Sequence, residues 1–142
     1  NGAVVNGRVE NSVISPGVHI EEGAIVRDSI VFNDTIIRNN SIVDRTIVDK
    51  EVEVKANCKI GTGSDTTPNQ DKPELVDSGL NVIAKRATIP EGTTIGRNCR
   101  IHSYVKEEDF PGSEISSGTT ITSETGKKLA EGDEDQVREL NT

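Results

Sequence analysis

The 142-residue chain carries 24 acidic against 16 basic side chains, a net charge of −8, and only 2% of its residues are aromatic. That balance excludes a partner bound through nucleic-acid phosphates, and no run of about 18 apolar residues is present to cross a membrane as a helix. With no Met or Trp to fill irregular gaps, a core in this single-domain length has to be built by regular repetition.

Repetition is visible from the first residues. Val9 lies five positions before Ile14, with Gly7 two before it, so Asn1 to Asn11 already reads as part of a repeating unit. A chain that starts in mid-pattern and has no methionine is expected to be a domain excised from a longer protein.

From Ser12 to Thr62 the pattern is complete. Cut every 17 residues, the segment gives SVISPGVHIEEGAIVRD, SIVFNDTIIRNNSIVDR and TIVDKEVEVKANCKIGT. A branched aliphatic recurs at steps of six, six and five: Ile14, Ile20, Val26, Val31, Ile37, Val43, Val48, Val54 and Ile60. Two residues before each stands a mostly small side chain: Ser12, Val18, Ala24, Ser29, Thr35, Ser41, Thr46, Val52 and Cys58.

In a strand, residues i and i−2 point the same way, so both members of each pair face inward. One large and one small inward residue per hexapeptide defines a parallel β-helix with three flat faces per coil. Ile and Val suit its rungs because a branched Cβ packs on a pleated surface with few rotamers to lose. The small residue leaves room at a corner of a narrow prism, and the five-residue step is one tightened corner. Each buried rung contributes roughly 1.5–3 kcal/mol, so Asp in place of Ile37 is expected to be ruinous. Residues 17 apart stack, which places Arg27 beside Asp44, Asp28 beside Arg45 and Glu21 beside Arg38, pairs that hold register.

Gly61 to Leu80 interrupts the ladder with Gly, Pro, Ser, Asp and Asn and reads as a loop extruded from a corner. The ladder resumes at Ile83, Ile89, Ile95 and Ile101, with Asn81, Ala87, Thr93 and Cys99 in the small positions, for about four to five coils in all. The five-residue corner is not repeated here, which leaves the register beyond Ile95 open. Cys58 and Cys99 both fall on inward small positions, which favours reduced, buried thiols and a cytoplasmic setting. His102 to Gly112 breaks the pattern again, with Phe110 read as a cover for the open end. Ile115 and Ile121 then echo it. Residues 1–121 are thus read as the β-helix domain, and 122–142 as a polar acidic tail, flexible or a short helix from Asp133 to Leu140.

The chemistry is sparse. No glycine-rich phosphate loop, nucleophile elbow or carboxylate pair in a cleft is present, so no catalytic residue is assigned. With two histidines, no three-histidine metal site is assigned either. His19 and His102 flank rung residues and face outward, which is compatible with the alternative of a hexapeptide acyltransferase, a homotrimer holding coenzyme A between subunits. One cationic feature stands out. Stacking coil four on coil three places Lys85 over Lys50, with Arg86 and Lys55 near, and two ammonium groups on adjacent rungs repel unless an anion lies between them.

The segment GRVENSVISPGVHIEEGAIVRDSIVFNDTIIRNNSIVDRTIVDKEVEVKANCKIGTG, with SGLNVIAKRATIPEGTTIG after the loop, resembles the C-terminal β-helix of the glucose-1-phosphate adenylyltransferases. The resemblance covers Gly2 to about Ile121 and implies a left-handed coil, against the usual hand of parallel crossovers. It further implies that an N-terminal catalytic domain, absent from this chain, makes ADP-glucose and pyrophosphate from ATP and glucose 1-phosphate with Mg²⁺. The domain itself is then expected to be non-catalytic, to contact that catalytic domain, to support a homotetramer and to bind a phosphorylated effector. Lys85 in IAKRATIPEG matches a lysine that contributes to effector binding in related plant enzymes, where Arg86 stands in place of an acidic residue. Lys85, Lys50 and Arg86 are therefore the expected anion-binding residues.

Overall fold

A computed structural model describes residues 2–124; the acidic tail beyond, including the helix expected from Asp133 to Leu140, lies outside the described residues. All strands are short and parallel and fall into three sheets, the faces of a prism. Face 1 stacks Val4–Val5, His19–Ile20, Ile36–Ile37, Glu53–Val54 and Thr88–Ile89. Face 2 stacks Arg8–Glu10, Ile25–Arg27, Ile42–Asp44, Lys59–Ile60, Thr94–Ile95 and Glu114–Ile115. Face 3 stacks Val13–Ile14, Ile30–Val31, Thr46–Val48, Asn81–Ile83, Arg100–Ile101 and Thr120–Ile121.

The β-solenoid expected from the repeat is therefore present, with five complete coils and two strands of a sixth. This exceeds the expected four to five, because the partial first coil and the Ile115 and Ile121 echo both form strands. Rung pairs with rung at every step: Val26 with Val43, Val43 with Ile60, Ile60 with Ile95 and Ile95 with Ile115. All rungs from Ile20 to Ile101 are fully buried, while Val9 and Ile14 in the first coil are half-covered.

The small inward residues do more than leave room. Ser29 Oγ donates to Arg27 O (2.7 Å) and accepts from Thr46 N (3.1 Å), and Ser41 Oγ donates to Lys55 O (2.7 Å) and accepts from Cys58 N (3.0 Å). Thr35 joins Asp49 O and Val52 N in the same way. These hydroxyls stitch one coil to the next where a buried backbone group would otherwise lack a partner. Asn81 does so with an amide, donating to Gly96 O (2.7 Å) and accepting from Cys99 N (2.8 Å).

Two of the three expected cross-coil charge pairs form. Arg27 meets Asp44 at 3.1 Å, and Arg38 bridges Glu21 and Glu53 at 3.0 Å each. Hydrogen bonds first to Glu21 and then to Glu53 raise the Arg38 pKa further. Asp28 does not meet Arg45. Both residues take positive φ at a corner; Asp28 accepts instead from Asn11 Nδ2 (2.7 Å), and Arg45 turns to Asp44 (3.8 Å).

The extruded loop lies against the prism. Asn69 is fully buried, donates to Asn98 O and Thr120 Oγ1 (3.1 Å each), and receives Asp71 N and Lys72 N on its carbonyl. Asn98, also buried, holds Thr66 O, Thr67 O and Gly79 N. A Cβ on Gly118, whose φ is +83°, would come within 2.5 Å of Pro68 O, so the loop rests on the sixth coil only because no side chain intervenes there.

Face 1 stops at five strands for a visible reason. Val105 takes the next small position, accepting Thr88 N on its carbonyl (2.8 Å). Two residues on, however, the sequence offers Glu107, and the chain turns out into a single 3-10 turn, Glu107–Asp109. Phe110 then packs half-buried against the core, in keeping with the capping role expected for it.

Truncating Ile60, fully buried between Val43 and Ile95, should cost about 2–5 kcal/mol in urea unfolding, whereas Thr94→Ala on the same face should cost well under half of that. Asn69→Ala should leave the global midpoint little changed and expose residues 61–80 to limited proteolysis, since it removes the amide that pins the loop.

Candidate functional site

The corner joining face 3 to face 1 is built from stacked left-handed residues: Gly17, Asp34, Glu51, Arg86 and Tyr104, with φ of 58–78°. Backbone bonds fix the stack, Arg86 N donating to Lys50 O and Tyr104 N to Lys85 O (3.1 Å each). Lys85 thus stands one coil beyond Lys50, as the repeat implies. Arg86 is engaged along the column. Its Nε lies 2.9 Å from Glu51 Oε2, which raises its pKa, and its guanidinium sits 5.9 Å from the centre of the Tyr104 ring. Lys55, grouped with these cations on sequence, is ion-paired with Glu107, whose hydrogen bond raises the lysine pKa.

Beside the lysines lies a surface hollow of about 210 Å³ lined by Val82, Ala84, Arg100, Ile101, His102 and Ser103. It forms because strand Arg100–Ile101 sets Arg100 opposite Val82 and Ile101 opposite Ile83, while Ala84 is too short to fill the space in front of His102. Ile101 points inward, so its neighbours Arg100 and His102 line the outside of face 3. Arg100 and His102 are half-buried there. The arrangement gathers Lys50, Lys85, Arg100 and His102 on one side of a chain whose net charge is −8. Chemically it suits an anion carrying several acceptor oxygens.

Sequence reasoning placed Lys50, Lys85 and Arg86 here and missed Arg100, His102 and Ser103 as their neighbours. The signal was present but unreadable. The corner after Ile95 takes six residues where earlier coils take five, so face 3 partners there lie 18 apart and no longer 17. Only the register tells which outward residue follows Val82.

The two cysteines carry no reactive chemistry of their own. Both are free and fully buried, and their thiols donate to Pro90 O (3.0 Å) and Ser116 O (3.3 Å). Burial pushes both thiol pKa values up, the opposite of what a nucleophile needs. Among the described residues no group of three His, Cys, Asp or Glu side chains is placed to hold a metal ion, and no helix is long and apolar enough to cross a membrane.

Comparison with known proteins gives a consistent picture. The family described as GlmU-like, C-terminal hexapeptide matches residues 1–83. A glucose-1-phosphate adenylyltransferase of Acetivibrio thermocellus is 40% identical over 120 residues, 84% of this chain and 28% of that protein. One of Thermomicrobium roseum is 44% identical over 95 residues, 67% of this chain and 22% of that protein. The chain therefore spans little more than a quarter of the curated relatives it matches. Among solved structures, the acetyltransferase domain of PglB from Neisseria gonorrhoeae superposes with a TM-score of 0.41 at 16% identity, covering 83% of this chain and 53% of that one.

Because Cys58 and Cys99 hold their protons to higher pH in the folded state, stability is complete below the ordinary thiol pKa of about 8.5 and declines as pH rises through the raised folded values. Urea midpoints should be flat to about pH 8 and fall above it, and a Cys58→Ala, Cys99→Ala double variant should flatten that fall.

Proposed function

As a member of the GlmU-like C-terminal hexapeptide family, the chain is, we propose, the regulatory and oligomerising left-handed β-helix of a sugar-1-phosphate nucleotidyltransferase, a cytoplasmic glucose-1-phosphate adenylyltransferase. The observation that carries this reading is the match of 84% of the chain to 28% of such an enzyme at 40% identity. The parent enzyme joins ATP and glucose 1-phosphate to give ADP-glucose and pyrophosphate, and works as a homo-oligomer. Its Mg²⁺ and ATP belong to the catalytic part, since no described residues here form a cation cluster.

Regulation falls to the cationic corner. A phosphorylated metabolite with its phosphate between Lys50 and Lys85 relieves the repulsion of two ammonium groups on adjacent coils and reaches Arg100, His102 and Ser103 in the hollow. Arg86, already neutralised by Glu51, shapes the column and is a weaker contributor. Such a ligand shifts the enzyme's state only by as much as it binds one state better than the other.

The test uses the full-length parent enzyme with phosphorylated glycolytic intermediates as effectors. Lys85→Ala and Arg100→Ala should each raise the half-maximal effector concentration about ten-fold or more, the cost of one charge-assisted contact, with the unstimulated rate unchanged. An unaltered response in both variants removes the corner from the effector site. Strong thermal protection of the chain by acetyl-coenzyme A, without turnover of glucose 1-phosphate by the parent, would replace the whole reading with an acyltransferase.

A further inference from the structure

The three faces do not present the same surface. Outward residues of face 1 carry the Glu21, Arg38 and Glu53 bridge, and those of face 2 the Arg27 and Asp44 pair. Face 3 carries Val13, Ile30, Ile47 and Val82 in one column down its first four coils, with Phe32 beside them. Val13 is 60% exposed, Phe32 40%, and Ile30 and Val82 37% each. Charged residues flank this stripe at the two corners, Asp28 and Arg45 on one side, Asp34 and Glu51 on the other. An apolar centre with a polar rim is the anatomy of an interface, and a parallel sheet is ordinarily covered on both faces.

We propose that the stripe of Val13, Ile30, Phe32, Ile47 and Val82 is the docking surface for the catalytic part of the chain's own parent polypeptide. The inference rests on the reading above that this chain is one domain of a longer enzyme. Two observations select that occupant over a second copy. The stripe offers only a few hundred Å² of apolar surface, against about 800 Å² per partner in a stable association of free proteins. A tethered partner needs far less, because its effective concentration is in the millimolar range. The relatives supply such a partner, since the chain matches only 28% of the first of them. The stripe is also most exposed at Val13 and runs without a break into the uncovered first coil, where Val4 and Val5 are exposed and the rungs Val9 and Ile14 only half-covered. A body packed on face 3 would close that coil as well.

The experiment places single cysteines in the full-length parent, Phe32→Cys and Val82→Cys on face 3, His19→Cys on face 1 and Lys59→Cys on face 2, and compares their maleimide labelling rates. Native Cys58 and Cys99, buried, stay silent only while the domain is folded, so they report any variant that fails to fold. The face 3 cysteines should label at least ten-fold more slowly than the other two, at every protein concentration. Equal rates overturn the proposal. Protection that disappears on dilution also overturns it and assigns the stripe to a second copy. Labelling does not depend on turnover, so a parent that proves to act on another substrate would defeat the functional reading while leaving this result to stand or fall alone.

Discussion

The fold depends on one geometric constraint: consecutive coils must stack at about the 4.8 Å spacing of hydrogen-bonded strands while enclosing a prism too narrow for more than a large and a small side chain per hexapeptide. Branched aliphatics satisfy it because each rung presents an identical surface to the rung above and below. The same constraint explains why aromatics are nearly absent and why Glu107, arriving where a rung is due, forces the chain out of the prism into a turn. A solenoid of this kind has no single centre. Each coil is stabilised by its neighbours, and burial weakens only toward the ends, at Ile14, Ile115 and Ile121.

Corners are the second requirement. Three sharp bends per coil put residues into the left-handed region, which is why Gly, Asn and Asp recur there. They also leave backbone groups facing an interior without water. The serine, threonine and asparagine side chains at the small positions meet that need, so their polarity is structural. A buried serine in such a repeat is therefore not a sign of catalysis. The same economy operates in the extruded loop, where Asn69 and Asn98 take the place of strand pairing and hold some twenty residues on the prism wall.

Function is displaced to the outside, and there the columns matter. Stacking converts residues 17 or 18 apart into neighbours, so a face acquires one character over its whole length: ion-paired on faces 1 and 2, apolar along the upper part of face 3, cationic at its lower corner. A ligand or partner meets a strip of one side chain per coil. That architecture suits regulation and assembly, which need extended surfaces, better than chemistry, which needs several groups converging on one point.

The sequence by itself determined the coil, the identity of nearly every inward residue and the position of the loop, because an inward period of two within a hexapeptide survives any choice of register. It also determined that Lys85 follows Lys50 in the stack. Only the tertiary structure decided what depends on counting residues through irregular corners: that Asp28 turns to Asn11 and leaves Arg45 to Asp44, that the loop folds back through Asn69, and that Arg100 and His102 join Lys85. One extra residue at a corner leaves the buried pattern intact, since the chain simply bulges outward, but it changes which exposed side chains become neighbours.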